Sequence, residues 1–97
     1  MSSPIQLPVK YKSLSPKDRR EVRQQYIKLQ KGGCYFCKMQ LADAPSNEVQ
    51  SAYIDESLFP ENFFDWPEHL HHCHKTGMTI GVVHPRCNAY LWQYLGE

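Results

Sequence analysis

Two short pairs of metal-ligating residues constrain the fold of this chain more than any other feature of its sequence. Cys34 and Cys37 form a C-x2-C pair, and His84 and Cys87 form an H-x2-C pair. Each spacing lets a tight turn direct two side chains at one ion, and two such pairs make a tetrahedral Cys3His site of the closed, structural type. We therefore expect a structural Zn2+ that ties the chain after the first helix to the start of the last helix.

The spacing alone does not establish that these two pairs meet, because 46 residues separate Cys37 from His84. One alternative is a reduced, buried cysteine pair without metal. Another puts Cys73 in the site in place of His84, although Cys73 lies within a predicted strand and has no partner at x2 spacing. A C2H2 zinc finger is excluded, because about 12 residues separate the pairs in that class.

Chain length and composition predict one small domain. The chain has 97 residues, 41% of them hydrophobic, which is enough for a single thin core. We expect an extended arm over residues 1–14 and a single domain over residues 15–97. No apolar stretch approaches the roughly 18 residues of a membrane-spanning helix, and the first residues lack the apolar core of a signal peptide. The expected location is the cytoplasm, where clustered cysteines favour metal over disulfides.

Charge is distributed unevenly along the chain, although the net charge is only +1. Residues 1–38 carry nine Lys/Arg and two acids, whereas residues 39–70 carry seven acids and no Lys/Arg. A basic first third favours a partner with a phosphate backbone, and the alternative is a solvated helix face. The acidic middle argues against a protein that DNA covers on all sides.

The first predicted helix has clear start and stop signals. Ser15 is suited to the N-cap and Pro16 to the first helical position, while Gly32-Gly33 ends the helix. Apolar residues at helical spacing predict that one face belongs to the core. That face consists of Val22, Tyr26 and Leu29.

The rest of the chain predicts a long loop, two strands and a final helix. Residues 40–68 are acidic and rich in aromatics and prolines, so we expect a loop with one helical turn near 60–65. Strands are predicted at about 69–73 and 79–83, and a helix at about 86–95. The apolar face of that helix consists of Leu91, Trp92 and Leu95.

Four histidines crowd the first predicted strand. His69 and His71 are expected on one face of a regular strand, and His72 and His74 on the other. A bend near 72–74 would let them converge on one substrate. The alternative is an exposed polar strand in which the histidines have no joint role.

Asn88 directly follows the predicted zinc ligand Cys87. If zinc anchors the start of the last helix, it also sets the direction of Asn88. The side-chain oxygen of Asn88 is then a candidate ligand for a divalent cation, together with His71.

These motifs, taken in order, resemble a known nuclease family. Cys-x2-Cys, His-Leu-His-His-Cys-His-Lys-Thr-Gly and Gly-Val-Val-His-x2-Cys-Asn are similar to the HNH (ββα-metal) endonucleases, in particular the recombination endonuclease VII-like branch, with its pattern CxxC, DHDHxTG, RGxLCxxCN. The match covers roughly residues 20–95 apart from the loop at 40–68. The resemblance implies an α+β fold, a small ββα-metal domain with a preceding helix and a structural zinc site.

The resemblance also implies roles for individual residues. His72 falls on the general base, and His74 on a histidine that supports the scissile phosphate. His71 and Asn88 fall on the two ligands of a catalytic divalent ion, Mg2+ or Mn2+. The structural zinc ligands of the family correspond to Cys34, Cys37, His84 and Cys87.

This chain departs from the family pattern at four places. His71 replaces an aspartate, which makes the metal site less negative and favours ions such as Mn2+ or Ni2+ over Mg2+. Cys73 replaces a second aspartate, so any role of that carboxylate is lost. His84 replaces a zinc cysteine, and Thr79-Ile80-Gly81 stands where Arg-Gly is usual.

The resemblance predicts a metal-dependent DNA endonuclease that nicks its substrate and is encoded by a bacterium or phage. Its expected partner is DNA and not a membrane, and a monomer fits the sequence. Candidate phosphate contacts are Lys75, Arg86, Arg19, Arg20 and Arg23. One alternative is a catalytically inactive zinc module that binds nucleic acid, and another is a nuclease directed at RNA.

Overall fold

The protein is described by a computed structural model over residues 6–96. Its regular elements are helix α1 (Pro16–Leu29), helix α2 (Asn47–Ser51), strand β1 (His69–His72), strand β2 (Thr79–Val83) and helix α3 (Pro85–Leu95). No helix among these residues has the length and apolar character needed to cross a membrane. The predicted α+β class is confirmed, while the ββα-metal assignment stays a prediction.

Helix α1 begins as its sequence predicts. The backbone N–H of Asp18 donates to the Ser15 side-chain oxygen over 3.1 Å, which satisfies one of the unpaired groups at the helix start. The helix ends at Leu29, a few residues before the predicted glycine stop. Lys31 and Gly32 then adopt left-handed backbone angles, with φ of 55° and 78°, and turn the chain away from the helix axis.

The two strands form an antiparallel hairpin with an apolar cluster on each face. Leu70 pairs with Val82, and His69 pairs with Val83. One cluster lies under α1 and consists of Leu14, Val22, Tyr26, Leu70 and Val82. The other joins the hairpin to α3 and consists of Cys34, Val49, Val83, Cys87 and Leu91.

The predicted apolar faces of α1 and α3 are only partly correct. Leu29 is 71% exposed, because it is the last residue of α1 and lies outside the cluster under that helix. Leu91 is buried, but Trp92 and Leu95 are 46% and 55% exposed. On both helices, fewer residues of the apolar face are therefore buried than the periodicity of the sequence predicts.

The segment predicted as a loop at 40–68 contains more structure than one helical turn. Besides α2, it includes 3-10 turns at Glu56–Leu58 and Phe63–Asp65. Val49 of α2 is fully buried. The Arg86 guanidinium donates to the carbonyl oxygens of Val49, Gln50 and Ala52 and so holds the end of α2 to α3.

Residues 9–11 of the predicted arm pair with the hairpin. The Val9 N–H donates to the Thr79 hydroxyl over 3.1 Å, and the Thr79 N–H donates back to the Val9 carbonyl over 2.9 Å. The Tyr11 N–H donates to the Gly77 carbonyl. This part of the arm is therefore bound to the start of β2, while residues 1–5 lie outside the described residues.

Gln30 links the end of α1 to β2. Its side-chain amide donates to the carbonyls of Gly33 and Val82, over 2.7 and 2.9 Å, and its oxygen accepts from the Val82 N–H over 2.9 Å. A Cβ at Gly81 would lie 2.8 Å from that oxygen, so glycine is needed for this approach.

We expect Gln30→Ala to lower the free energy of unfolding by about 2 kcal/mol, because it leaves the backbone N–H of the fully buried Val82 without its partner and removes one of the donors to the Val82 carbonyl. The measurement is urea unfolding of the zinc-loaded protein. Gln24→Ala is the matched control, since Gln24 is exposed on the same helix, and its effect should stay within about 0.5 kcal/mol. Equal stability of the two variants would contradict this role for Gln30.

Candidate metal centre and active-site cleft

The two predicted metal-binding pairs meet in the folded chain. The ligand atoms of Cys34, Cys37, His84 and Cys87 all lie within 4.8 Å of one another. Cys34 and Cys37 lie in the turn after α1, while His84 is the N-cap of α3 and Cys87 lies in its first turn. This is the donor set and spacing of a structural Cys3His zinc site, whose metal–ligand bonds are about 2.0–2.3 Å.

Backbone carbonyls orient His84 toward the thiols. Its Nε2 lies 2.9 Å from both the Gln40 and the Asp43 carbonyl oxygens, so this nitrogen carries the proton and donates. Its Nδ1 therefore presents a lone pair, 3.4 Å from the Cys37 sulfur and 3.6 Å from the Cys87 sulfur. Such second-shell hydrogen bonds fix the tautomer that a metal requires, so the residues present fit zinc.

One thiol of this group, that of Cys34, favours the thiolate state. A hydrogen bond from Cys87 lowers the pKa of Cys34 to about 4, and the same interaction raises the pKa of Cys87. A thiolate is the form that ligates metal. Cys73, the alternative to His84, is not part of the group.

We expect the purified protein to hold zinc and to unfold when a chelator removes it, because metal binding and folding are coupled in such sites. Cys34→Ser should abolish zinc binding, while Cys73→Ser should retain it at the wild-type level. Mass spectrometry of bound metal and circular dichroism provide the readouts. Zinc retention by the Cys34 variant would contradict this ligand set.

A cleft of about 1000 Å3 lies beside the metal centre. It is bounded by α1, the hairpin, α3 and the aromatic part of the segment before β1. The predicted site residues His71, His72, His74 and Asn88 all line it, together with Arg19, Arg20 and Arg23.

An irregularity in the hairpin lies opposite the histidines that line the cleft. His71 pairs with Gly81 and His72 with Thr79, so Ile80 of β2 is an extra residue at this point. A bulge of this kind bends its strand and re-aims nearby side chains. The sequence predicted a bend in the histidine run near 72–74, whereas the irregularity in the pairing lies in the opposite strand.

Asn88 contacts a histidine that the predicted site does not include. Its side-chain Nδ2 lies 3.1 Å from Nδ1 of His69, whereas the prediction paired Asn88 with His71. If the amide nitrogen donates to His69, Asn88 retains its oxygen as a ligand atom toward the cleft. His71 is 3% exposed. The available sequence signal was strand alternation, which puts His69 on the same face as His71.

His72 is held by an aromatic stack. Its ring lies parallel to that of Tyr11, with centroids 4.2 Å apart and an interplanar angle of 10°. The Arg19 guanidinium lies over the Tyr11 ring, 5.0 Å from its centroid, and His74 approaches His72 edge-on at 5.0 Å. Tyr11 was missed, because no local sequence signal connects it to β1.

The cleft disfavours protonation of two of its histidines, His69 and His72. Burial lowers the pKa of His72, and the nearby His74 and His71 lower it further. Burial likewise lowers the pKa of His69. His72 is therefore the neutral imidazole at pH 7, which is the state that can accept a proton.

Of the predicted phosphate contacts, three line the cleft and two do not. Arg19, Arg20 and Arg23 line the cleft and form no ion pair with any residue between 6 and 96. Arg86 is instead engaged with the three carbonyls at the end of α2, so its role in this structure is to hold that segment. Lys75 is exposed in the turn between the strands and does not line the cleft.

We expect His72 to titrate below the usual histidine pKa of about 6.5. Replacing His74 with Asn should raise the His72 midpoint, because it removes a like charge. NMR titration of the imidazole signals measures both midpoints. Lys28→Gln, which removes an exposed charge that does not line the cleft, is the control and should leave the midpoint unchanged. A His72 midpoint above about 6.5 would contradict the effect of burial.

Comparisons with protein-family models, curated proteins and solved structures give no match to this chain.

Proposed function

We propose that the chain is a metal-dependent DNA endonuclease of the HNH type that hydrolyses phosphodiester bonds by nicking. The observation that carries the proposal is the convergence of His71, His72, His74 and Asn88 in one cleft. A structural zinc module needs none of these four residues for its metal. Their presence beside unpaired arginines supports hydrolysis of a phosphate ester.

His72 is the proposed general base. It removes a proton from a water molecule, whose oxygen attacks phosphorus while the bond to the 3′ oxygen breaks. The products are a 5′-phosphate and a 3′-hydroxyl. The Tyr11 stack restrains the ring, and the lowered pKa keeps its acceptor nitrogen unprotonated at pH 7. His74 lies against His72 and is suited to donate to the scissile phosphate.

His71 and Asn88 are the proposed ligands of a catalytic divalent ion. Apart from the zinc group, no three His, Cys, Asp or Glu side chains among residues 6–96 converge on one point. The protein thus offers two neutral donors, a set that suits Mn2+ better than Mg2+. A bound ion supplies electrostatic stabilisation for the charge that grows on the phosphate during hydrolysis.

The zinc centre supports this site from outside the cleft. Cys87 and Asn88 are consecutive in the first turn of α3. A zinc ion bound to Cys87 would also fix the direction in which the side chain of Asn88 points. The amide of Asn88 contacts His69. Zinc is thus proposed as a structural ion, separate from the reaction.

The arginines of α1 are the proposed phosphate contacts. Arg19, Arg20 and Arg23 line the cleft, and between residues 6 and 96 Glu68 is the only acidic residue that lines it. A cleft with excess positive charge attracts the phosphate backbone.

We expect His72→Ala to reduce plasmid nicking at least about 100-fold in the presence of Mn2+, because the reaction loses its general base. Gel assays of supercoiled plasmid measure the rate. The variant should keep its zinc, its circular dichroism spectrum and its affinity for DNA. A matched RNA substrate tests whether cleavage is directed at DNA.

Two results would contradict the endonuclease assignment. Cleavage by His72→Ala at the wild-type rate would remove the proposed base. DNA binding without cleavage under any divalent ion would instead indicate an inactive zinc module that binds nucleic acid.

A further inference from the structure

The segment before β1 contributes mainly aromatic side chains to the cleft. Phe59, Phe63 and Trp66 line it. Glu61 and Asp65, which alternate with them in sequence, do not, whereas Glu68 does. The cleft therefore has an aromatic wall in addition to the arginines of α1, with one acidic residue of this segment at its lining.

Part of this wall is a packed aromatic cluster. The Phe59 ring lies 4.7 Å from that of Phe63 and 5.5 Å from that of Trp92, and Phe63 meets His69 edge-on at 4.5 Å. These contacts give the wall a fixed position next to β1. It is built on α3 and the 3-10 turn at Phe63–Asp65.

Trp66 belongs to the aromatic wall, but packing against other rings does not explain its position. Its side chain is 63% exposed, and it makes no ring contact with any residue between 6 and 96. A large aromatic residue left in solvent at the edge of a cleft marks a surface for binding. Trp92, which also lines the cleft, is 46% exposed.

A cleft lined by both arginines and exposed aromatic rings is the arrangement that binds single-stranded nucleic acid. Arginines follow the phosphates while aromatic rings stack on the base faces. In a duplex those faces are covered by neighbouring bases, so the aromatic wall can stack only on a base that is unpaired and unstacked. Because the acidic residues outside the cleft repel phosphates, the cleft is the favourable path for the nucleic-acid backbone.

We propose that the cleft binds an unpaired stretch of DNA, with phosphates on Arg20 and Arg23 and a base stacked on Trp66. This inference rests on the proposed function, since it takes DNA as the occupant of the cleft. It goes further by assigning the substrate class, a single-stranded segment, and by naming Trp66 as the residue that selects it.

The test measures binding without catalysis. Zinc-loaded protein without other divalent ions is titrated into a fluorescently labelled oligothymidylate and into a labelled duplex of equal length. We expect tighter binding to the single strand. Trp66→Ala should weaken that binding about tenfold and leave duplex binding unchanged, because only the single strand offers a base face.

Two further variants separate stacking from general effects. Trp66→Phe keeps an aromatic face and should restore most of the single-strand affinity. Tyr53→Ala removes an aromatic side chain that is 72% exposed but does not line the cleft, and it should bind like the wild type. The chain has two tryptophans, both lining the cleft, so quenching of intrinsic fluorescence by the oligothymidylate is a second readout.

Failure of this inference can be distinguished from failure of the proposed function. Normal nicking that depends on His72, together with wild-type single-strand affinity in Trp66→Ala, overturns the stacking site and leaves the endonuclease intact. Single-strand binding that depends on Trp66 supports the site even when no cleavage is found. Equal loss of single-strand and duplex affinity in Trp66→Ala also overturns the inference.

Discussion

The Cys3His group joins two parts of the chain that are far apart in sequence, the turn after α1 and the start of α3, which also carries Asn88. Cys34 and Cys37 follow α1, and His84 and Cys87 begin α3. The hydrogen bonds from His84 to the Gln40 and Asp43 carbonyls extend this junction into the following segment. A chain of this size buries little apolar surface, so a metal ion at this point adds stability where the apolar clusters are small.

The position of α1 relative to the hairpin depends on polar contacts as well as on the apolar clusters. Gln30 bonds both backbone groups of Val82, and Arg86 bonds three carbonyls at the end of α2. The Gln30 side-chain oxygen is the partner of a buried backbone N–H, a group that lowers stability when it is left unpaired. Gln30 therefore joins the end of α1, one wall of the cleft, to β2, while Arg86 joins α2 to α3.

The sequence predicted those features that depend on local patterns or on residue type. The cap at Ser15, the strands and the four members of the metal group belong to this class. The role of Arg86 could not be predicted, because its partners are carbonyls of a segment whose helix is only five residues long. The stack of Tyr11 on His72 and the contact of His69 with Asn88 could not be predicted either, since both join segments that are distant in sequence.

The shifted register opposite His71 and His72 has a consequence for how a site can be built on so little sheet. His71 pairs with Gly81 and His72 with Thr79, so Ile80 of β2 is an extra residue between two consecutive residues of β1. A bulge of this kind bends its strand and re-aims nearby side chains. The hairpin therefore changes direction next to the histidines that line the cleft, by means of one inserted residue in the opposite strand.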